Sequence, residues 1–210
     1  MKCIRNVVLA AVASALLLAA CGDDDADAPA TLSGIVRDPA PVVGDVELPD
    51  VSNDAAPFPM RADDGLLVVY FGYTSCPDVC PTTMSDLRRA LEALPAADAA
   101  RVDVAMITID PARDDADVLT RYVQTFVPDG HALRTDDDAL LRRAADAFGA
   151  DYSVTYAADG TPEVAHTGFL YAVDDTGHMR VQWPFGTQAD AIERDLALLL
   201  DEMERAPAEP

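Results

Sequence analysis

Seven residues in a row, Leu66-Leu67-Val68-Val69-Tyr70-Phe71-Gly72, carry no charge. A run this short and this apolar suits a strand buried on both faces. The period changes at once behind it. Met84, Leu87, Leu91 and Leu94 recur at helical spacing, with Arg88, Arg89 and Glu92 on the opposite side, which predicts an amphipathic helix over Pro81–Leu94. Between strand and helix stands Thr74-Ser75-Cys76-Pro77-Asp78-Val79-Cys80-Pro81-Thr82-Thr83. Two cysteines therefore lie where a buried strand turns into a helix. The unpaired N–H groups and positive dipole end of a helix start lower thiol pKa values and favour thiolate. This turn is the place for sulfur chemistry.

The alternation continues downstream. Val104-Ala105-Met106-Ile107-Thr108-Ile109 predicts a second buried strand, parallel and adjacent to the first because a helix-length crossover separates them. A helix over Asp115–Phe126 presents Val118, Leu119, Tyr122, Val123 and Phe126 to the core and is ended by Pro128. Asp137 can cap a third helix over Ala139–Phe148, with Gly149 as its stop. Tyr152–Tyr156 reads as a short strand before an Asp159-Gly160 turn, and Thr167–Val173 and Met179–Trp183 read as an antiparallel pair. A last helix spans Gln188–Met203. This order belongs to the α/β class, with a central mixed β-sheet flanked by helices. The folded domain is expected over 46–206.

The first twenty residues read differently. Lys2 and Arg5 precede an apolar stretch from Val7 to Ala20, and Leu18-Ala19-Ala20-Cys21 closes it. The stretch is short for a membrane span and right for a secretory signal. Those four residues resemble a bacterial lipobox, which implies cleavage after residue 20 and a diacylglycerol on the Cys21 sulfur; a plain N-terminal membrane anchor is the alternative. Either way the folded part is expected outside the cytoplasm (on the periplasmic side), held at a membrane surface. Residues 21–45, rich in Asp, Ala and Pro with few large apolar side chains, read as a flexible tether. Without Lys2 and Arg5 the chain keeps 13 basic against 37 acidic residues. So acidic a surface argues against nucleic acid and against anionic lipid headgroups as partners.

Cysteine arithmetic then narrows the chemistry. Of the four cysteines, Cys3 leaves with the signal and Cys21 takes lipid, so the mature domain keeps Cys76 and Cys80. In an oxidising compartment these two form a disulfide when no metal is bound. Their spacing is one residue longer than the Cys-x-x-Cys of dithiol exchange, and each precedes a proline, which steers it away from helical geometry. A loop of this kind can close to a disulfide, or open to hold one soft metal ion between two thiolates. Two thiolates leave a metal short of ligands. Of the three histidines, His131 and His178 fall in turns and read as solvated. His166 immediately precedes the strand expected at Thr167–Val173, at a strand end of the kind that gathers in the crevice of an open α/β sheet. Asp110, at the end of the second strand, is either a carboxylate that orients a ligand or an ordinary Asp-Pro turn starter. Met84 and Met106 read as core side chains rather than ligands.

The stretch Gly72-Tyr73-Thr74-Ser75-Cys76-Pro77-Asp78-Val79-Cys80-Pro81-Thr82-Thr83 resembles the signature loop of the Sco/SenC family of copper-binding assembly factors for cytochrome c oxidase. Asp110-Pro111-Ala112-Arg113-Asp114 resembles that family's Asp-Pro-x-Arg-Asp segment, and Val164–Asp174 its histidine loop and following strand. Phe185-Gly186-Thr187 also fits. The resemblance runs from about Val46 to Met203 and implies a thioredoxin-like fold with one copper ion, Cu(I) or Cu(II), on Cys76, Cys80 and His166. Two positions depart from the family pattern. Ser75 stands where the family often has His, and Ala165 where it often has an Asp beside the metal histidine.

The resemblance further implies a membrane-tethered copper chaperone that serves the dinuclear copper site of an oxidase subunit, with other copper carriers as possible partners. The rival reading is a thiol–disulfide oxidoreductase that reduces the acceptor's cysteines. There Cys76 or Cys80 would be the catalytic nucleophile and the other would resolve the mixed disulfide. A third histidine ligand favours the metal reading, since dithiol exchange needs none.

Overall fold

The structure is a computed structural model that describes residues 31–205. The expected signal segment at 1–20, the lipid site at Cys21 and the tail after Arg205 lie outside the described residues. Among the described residues no helix is long and apolar enough to cross a membrane.

A hairpin of β1 (Glu47–Asp50) and β2 (Ala56–Pro59) comes first. β3 (Leu66–Gly72) is buried at every position, as its unbroken apolar run requires. α1 (Val79–Ala93) and the single turn α2 (Ala96–Ala99) carry the chain to β4 (Val102–Thr108). β4 lies parallel to β3 from Leu66 opposite Val102 to Gly72 opposite Thr108. α3 (Ala116–Phe126) leads to β5 (His131–Leu133), again parallel to β4. α4 (Asp138–Phe148) precedes a separate hairpin of β6 (Tyr152–Tyr156) and β7 (Pro162–His166). β8 (Leu170–Asp174), β9 (Met179–Trp183) and α5 (Ala189–Arg205) complete the chain. The main sheet runs β2-β1-β5-β4-β3-β8-β9, with β8 antiparallel to β3. The mixed sheet and the adjacent parallel pair β3–β4 are those the sequence predicts.

Successive β3 residues point to opposite faces. Phe71 meets Phe148 and Tyr171 edge-on at 5.5 and 6.1 Å, so α4 covers that face. Tyr70 points the other way, toward α1, whose buried side is Cys80, Thr83, Met84, Leu87 and Ala90. α5 lies against α1. Met84 and Met106 are fully buried core side chains. Helix starts follow the expected chemistry in α3 and α4: Asp115 accepts from Val118 N at 2.8 Å, and Asp137 accepts from Ala139 N and Leu140 N at 2.9 and 3.0 Å.

Three expectations need correction. The segment up to residue 45 is not all tether, because from Leu32 onward it is seated on the body. Ile35 exchanges backbone hydrogen bonds with Gln182 at 2.9 and 3.0 Å, and Met179 N donates to Pro41 O at 2.8 Å, which covers the open edge of β9. Below them Asp195, fully buried, accepts from Ser33 N, Ser33 Oγ, Gly34 N and Trp183 Nε1 at 2.7–2.9 Å. Polar composition suggested flexibility, yet main-chain pairing and one carboxylate hold this strap, with Val43 its one fully buried apolar side chain and Leu32 packed against the core. His131 is not a solvated turn residue either. It starts β5, and its Nδ1 lies 2.7 Å from Oδ2 of buried Asp50. Finally, the strand after His166 begins at Leu170 rather than Thr167, and His166 itself ends β7.

Candidate metal centre

β3 ends at Gly72 because the next layer lies close. A Cβ there would stand 2.6 Å from Tyr70 Cε1, 3.0 Å from Met106 Cε and 3.2 Å from the Cys80 sulfur, so glycine lets that sulfur rest against the strand. The chain then turns through Tyr73 and Thr74, where a buried carboxylate fastens it. Asp114 accepts from Thr74 N at 3.0 Å, from Thr74 Oγ1 at 2.5 Å and from Thr108 Oγ1 at 2.6 Å. The end of β4 and the start of the cysteine loop thus share one acceptor. Sequence reasoning passed over Asp114 as the last letter of a motif. Its only sequence signal was an acid close behind a strand end, and its partner Thr74 is 40 residues away.

α1 begins at Val79, two residues before the proline expected to open it, so Cys80 lies in the first turn and Cys76 just outside. Among the described residues no side-chain oxygen caps this helix. The Cys76 sulfur takes that role, accepting from Cys80 N at 3.3 Å. Burial pushes the Cys76 thiol up, but the backbone N–H groups of Cys80 and Asp78, with the side chains of Cys80 and Tyr73, outweigh it and leave the thiol below its ordinary value. Burial dominates at Cys80, whose thiol is pushed up to about 12. Both cysteines are free thiols.

His166 reaches the cysteines from the β6–β7 hairpin. Arg142 of α4 holds the base of that hairpin, stacked over the Tyr152 ring at 3.9 Å and donating to Tyr152 O at 3.2 Å. Tyr70 and Tyr73 flank the imidazole edge-on, with ring centroids 6.1 and 5.9 Å away. Nδ1 donates to the Thr167 carbonyl at 3.2 Å, which turns Nε2 toward the Cys80 sulfur, 3.7 Å distant. The proton is placed on Nδ1 by that hydrogen bond. Burial lowers the His166 pKa against the smaller opposing pull of the Thr167 and Phe71 backbone. A neutral ring with a free Nε2 is what a metal ligand requires. The carbonyl also orients the ring where Ala165 offers no acid.

Asp110 does not orient any of these groups directly. It is 2% exposed and engaged with Arg113, whose Nε donates to Oδ2 at 2.5 Å. Arg113 in turn lies over the Tyr73 ring, 5.7 Å from its centroid. The Asp110 carboxylate thus reaches the site at one remove, through Arg113 and Tyr73, and its carbonyl accepts from Asp114 N at 3.0 Å. His131 and His178 are elsewhere, paired with Asp50 and Thr176.

The Cys76 and Cys80 sulfurs and a ring nitrogen of His166 all lie within 4.8 Å of one another. Two soft sulfurs and an imidazole, buried or half-buried, suit a copper or zinc ion and not a hard cation. They can equally carry a two-electron dithiol–disulfide change.

Comparison with known proteins agrees with this arrangement. The sequence profile of the SCO1/SenC family matches residues 54–201. An SCO2-like protein of Rickettsia felis is 31% identical over 150 residues, covering 68% of this chain and 69% of that protein. The match covers 65% of the length of a relative from Stutzerimonas stutzeri and 25–55% of several others. Apo Sco1 from Thermus thermophilus superposes with a TM-score of 0.66 at 29% identity, over 84% of this chain and 98% of that one. Bradyrhizobium japonicum ScoI with copper bound gives 0.63 at 26%, over 76% of this chain and 99% of that one. The fold is thioredoxin-like, and the chain belongs to the SCO1/SenC family.

Proposed function

We propose that the protein is an extracytoplasmic copper chaperone, tethered by a lipid on Cys21, that supplies the dinuclear copper site of cytochrome c oxidase during assembly. The observation that carries this reading is the convergence of Cys76, Cys80 and His166 within 4.8 Å. The copper-bound Bradyrhizobium relative supports it from outside the chain. Cys76 and Cys80 would hold one copper ion as thiolates, and His166 Nε2 would complete a three-ligand site. Acceptor thiolates would displace the two sulfurs in turn, Cys76 first because it is the less buried, at 9% against 0% exposed.

The test is copper stoichiometry on the purified protein. Wild type should bind one ion. His166→Ala should bind copper far more weakly, with Cu(II) affected more than Cu(I), while the Cys76–Cys80 disulfide still forms. Equal copper binding by the two proteins sinks the three-ligand reading.

One observation favours the reductase reading, and it is the inequality of the two thiols. Cys76 is lowered and nearer the surface, whereas Cys80 is buried and raised to about 12. That is the pattern of an attacking and a resolving sulfur. Cys76 thiolate would open an acceptor disulfide and form a mixed disulfide. Cys80 would then close on Cys76 and release the second acceptor thiol. In cells the readings part: oxidase assembled normally at low copper in a His166→Ala strain, but not in a Cys76→Ser strain, would favour the reductase.

A further inference from the structure

Tyr70 is 0% exposed, and its hydroxyl has no hydrogen-bond partner among the described residues. Burying a hydroxyl without a partner costs free energy, and folded proteins rarely leave one so. The hydroxyl is not in an apolar blind end. The Tyr70 ring and the Cys80 sulfur meet over Gly72, Tyr70 Cε1 and Cys80 Sγ standing 2.6 and 3.2 Å from where a Cβ would lie there, with Thr83 and Cys76 also near. The Thr83 hydroxyl spends its proton on Val79 O at 2.9 Å and could only accept from Tyr70, whose hydroxyl makes no hydrogen bond to it. A phenylalanine would fill the same space without the unpaired group. What the hydroxyl faces explains its presence. The sulfur of a protonated thiol is a weak acceptor, whereas a thiolate is charged and accepts strongly.

We infer that Tyr70 is a positioning residue of the metal centre: its hydroxyl lies against the Cys80 sulfur without a well-formed hydrogen bond in the dithiol protein and donates to that sulfur once metal replaces the thiol proton. The inference rests on the three-ligand site proposed above and adds a fourth side chain to it. The hydrogen bond removes electron density from the Cys80 thiolate and fixes its direction, while the ring edge against His166 at 6.1 Å keeps the third ligand in place. Groups that hydrogen-bond a ligand from outside tune metal affinity in this way.

The test is Tyr70→Phe in the full chain, with Tyr171→Phe beside it. The Tyr171 hydroxyl is also buried and unpartnered among the described residues, but it belongs to the Phe71 face, away from the sulfurs. In the copper-free reduced protein both variants should melt no lower than wild type, and up to about 2–4 °C higher, because each removes an unpaired buried hydroxyl. Only Tyr70→Phe should then lose Cu(I) affinity, by about tenfold in competition with a chromophoric chelator. Its Cu(II) form should show the thiolate-to-copper absorption at longer wavelength, since the sulfur donates more freely. Unchanged affinity and spectrum in Tyr70→Phe overturn the inference, as does a lower melting point of its copper-free form. Wild type that binds no copper, or a His166→Ala protein that binds it equally well, overturns the underlying site instead.

Discussion

Two buried carboxylates, Asp114 and Asp195, each fasten an irregular segment to the framework, and both are 0% exposed. Asp195 takes the strap: Ser33, Gly34 and Trp183 use up its acceptor positions, and what it holds is covered edge and packed helix. Asp114 takes the cysteine loop through Thr74 and Thr108, and what it holds leads within six residues to two free sulfurs and an unpaired hydroxyl. The same chemistry closes one region and leaves the other ready for a further bond. Where polar groups are fully paired the carboxylate serves stability. Where pairing stops short, it serves a ligand as well.

That contrast can be broken most directly at Asp195. Asp195→Ala takes the acceptor from Ser33 N, Gly34 N and the buried Trp183 Nε1, a loss of about 3–5 kcal/mol. The melting point should fall on the order of 10 °C, with copper bound per folded molecule unchanged. A matching fall in copper affinity would mean that the strap and the site are one unit. Asp114→Ala should cost less stability, about 2–4 kcal/mol, yet weaken copper binding about tenfold, because the loop that sets the Cys76 position loses its anchor. If only the melting point moves, the two carboxylates are equivalent and the contrast fails.

The smallest effect separates the two sulfurs by pH. Cys76 is lowered, so its folded-state proton is lost before that of the same thiol in the unfolded chain. In a Cys80→Ser protein the alkylation rate of Cys76 should therefore reach half its plateau at a lower pH than in the same protein unfolded in urea. Its contribution to stability is present above the unfolded value and disappears as pH falls through the folded one. Cys80 has the opposite sign. Raised to about 12, it favours the fold below the ordinary thiol range and withdraws that support as pH climbs toward its folded value. An alkylation midpoint for Cys76 at or above that of the unfolded protein would show that the helix start does not stabilise its thiolate.

Much of this molecule could be read from period and punctuation. β3 and β4 are apolar at nearly every position, α4 carries its expected Asp137 cap, and Gly149 ends α4 at φ 65. The elements that escaped are those held by something other than apolar burial. β6 and β7 turn one face to solvent and only half-bury the other; the half-buried positions of β7 are Pro162, Val164 and His166, too mixed a face to announce a strand, so the sequence places His166 just ahead of a strand where the structure has it ending one. β5 is three residues long. The strap is mostly polar, and apart from Val43 its hold comes from backbone groups and from a carboxylate 162 residues distant. Asp110 and Asp114 sit four apart in one motif, and only the contacts show that Asp114 fastens the cysteine loop while Asp110 engages Arg113.

The clamp between Ser33 and Asp195 has a kinetic side. A chain is made from its beginning at roughly 5–20 residues per second, so on the order of 10–30 s separate the synthesis of the strap from that of its acceptor. The β3-α1-β4 unit depends on neighbouring elements and can form in that interval; the strap cannot, since its contacts are the most distant in sequence that the fold makes use of here. The strap therefore closes only on a chain that is complete through α5, and among the earliest-made of the described residues are some that must wait for the last helix.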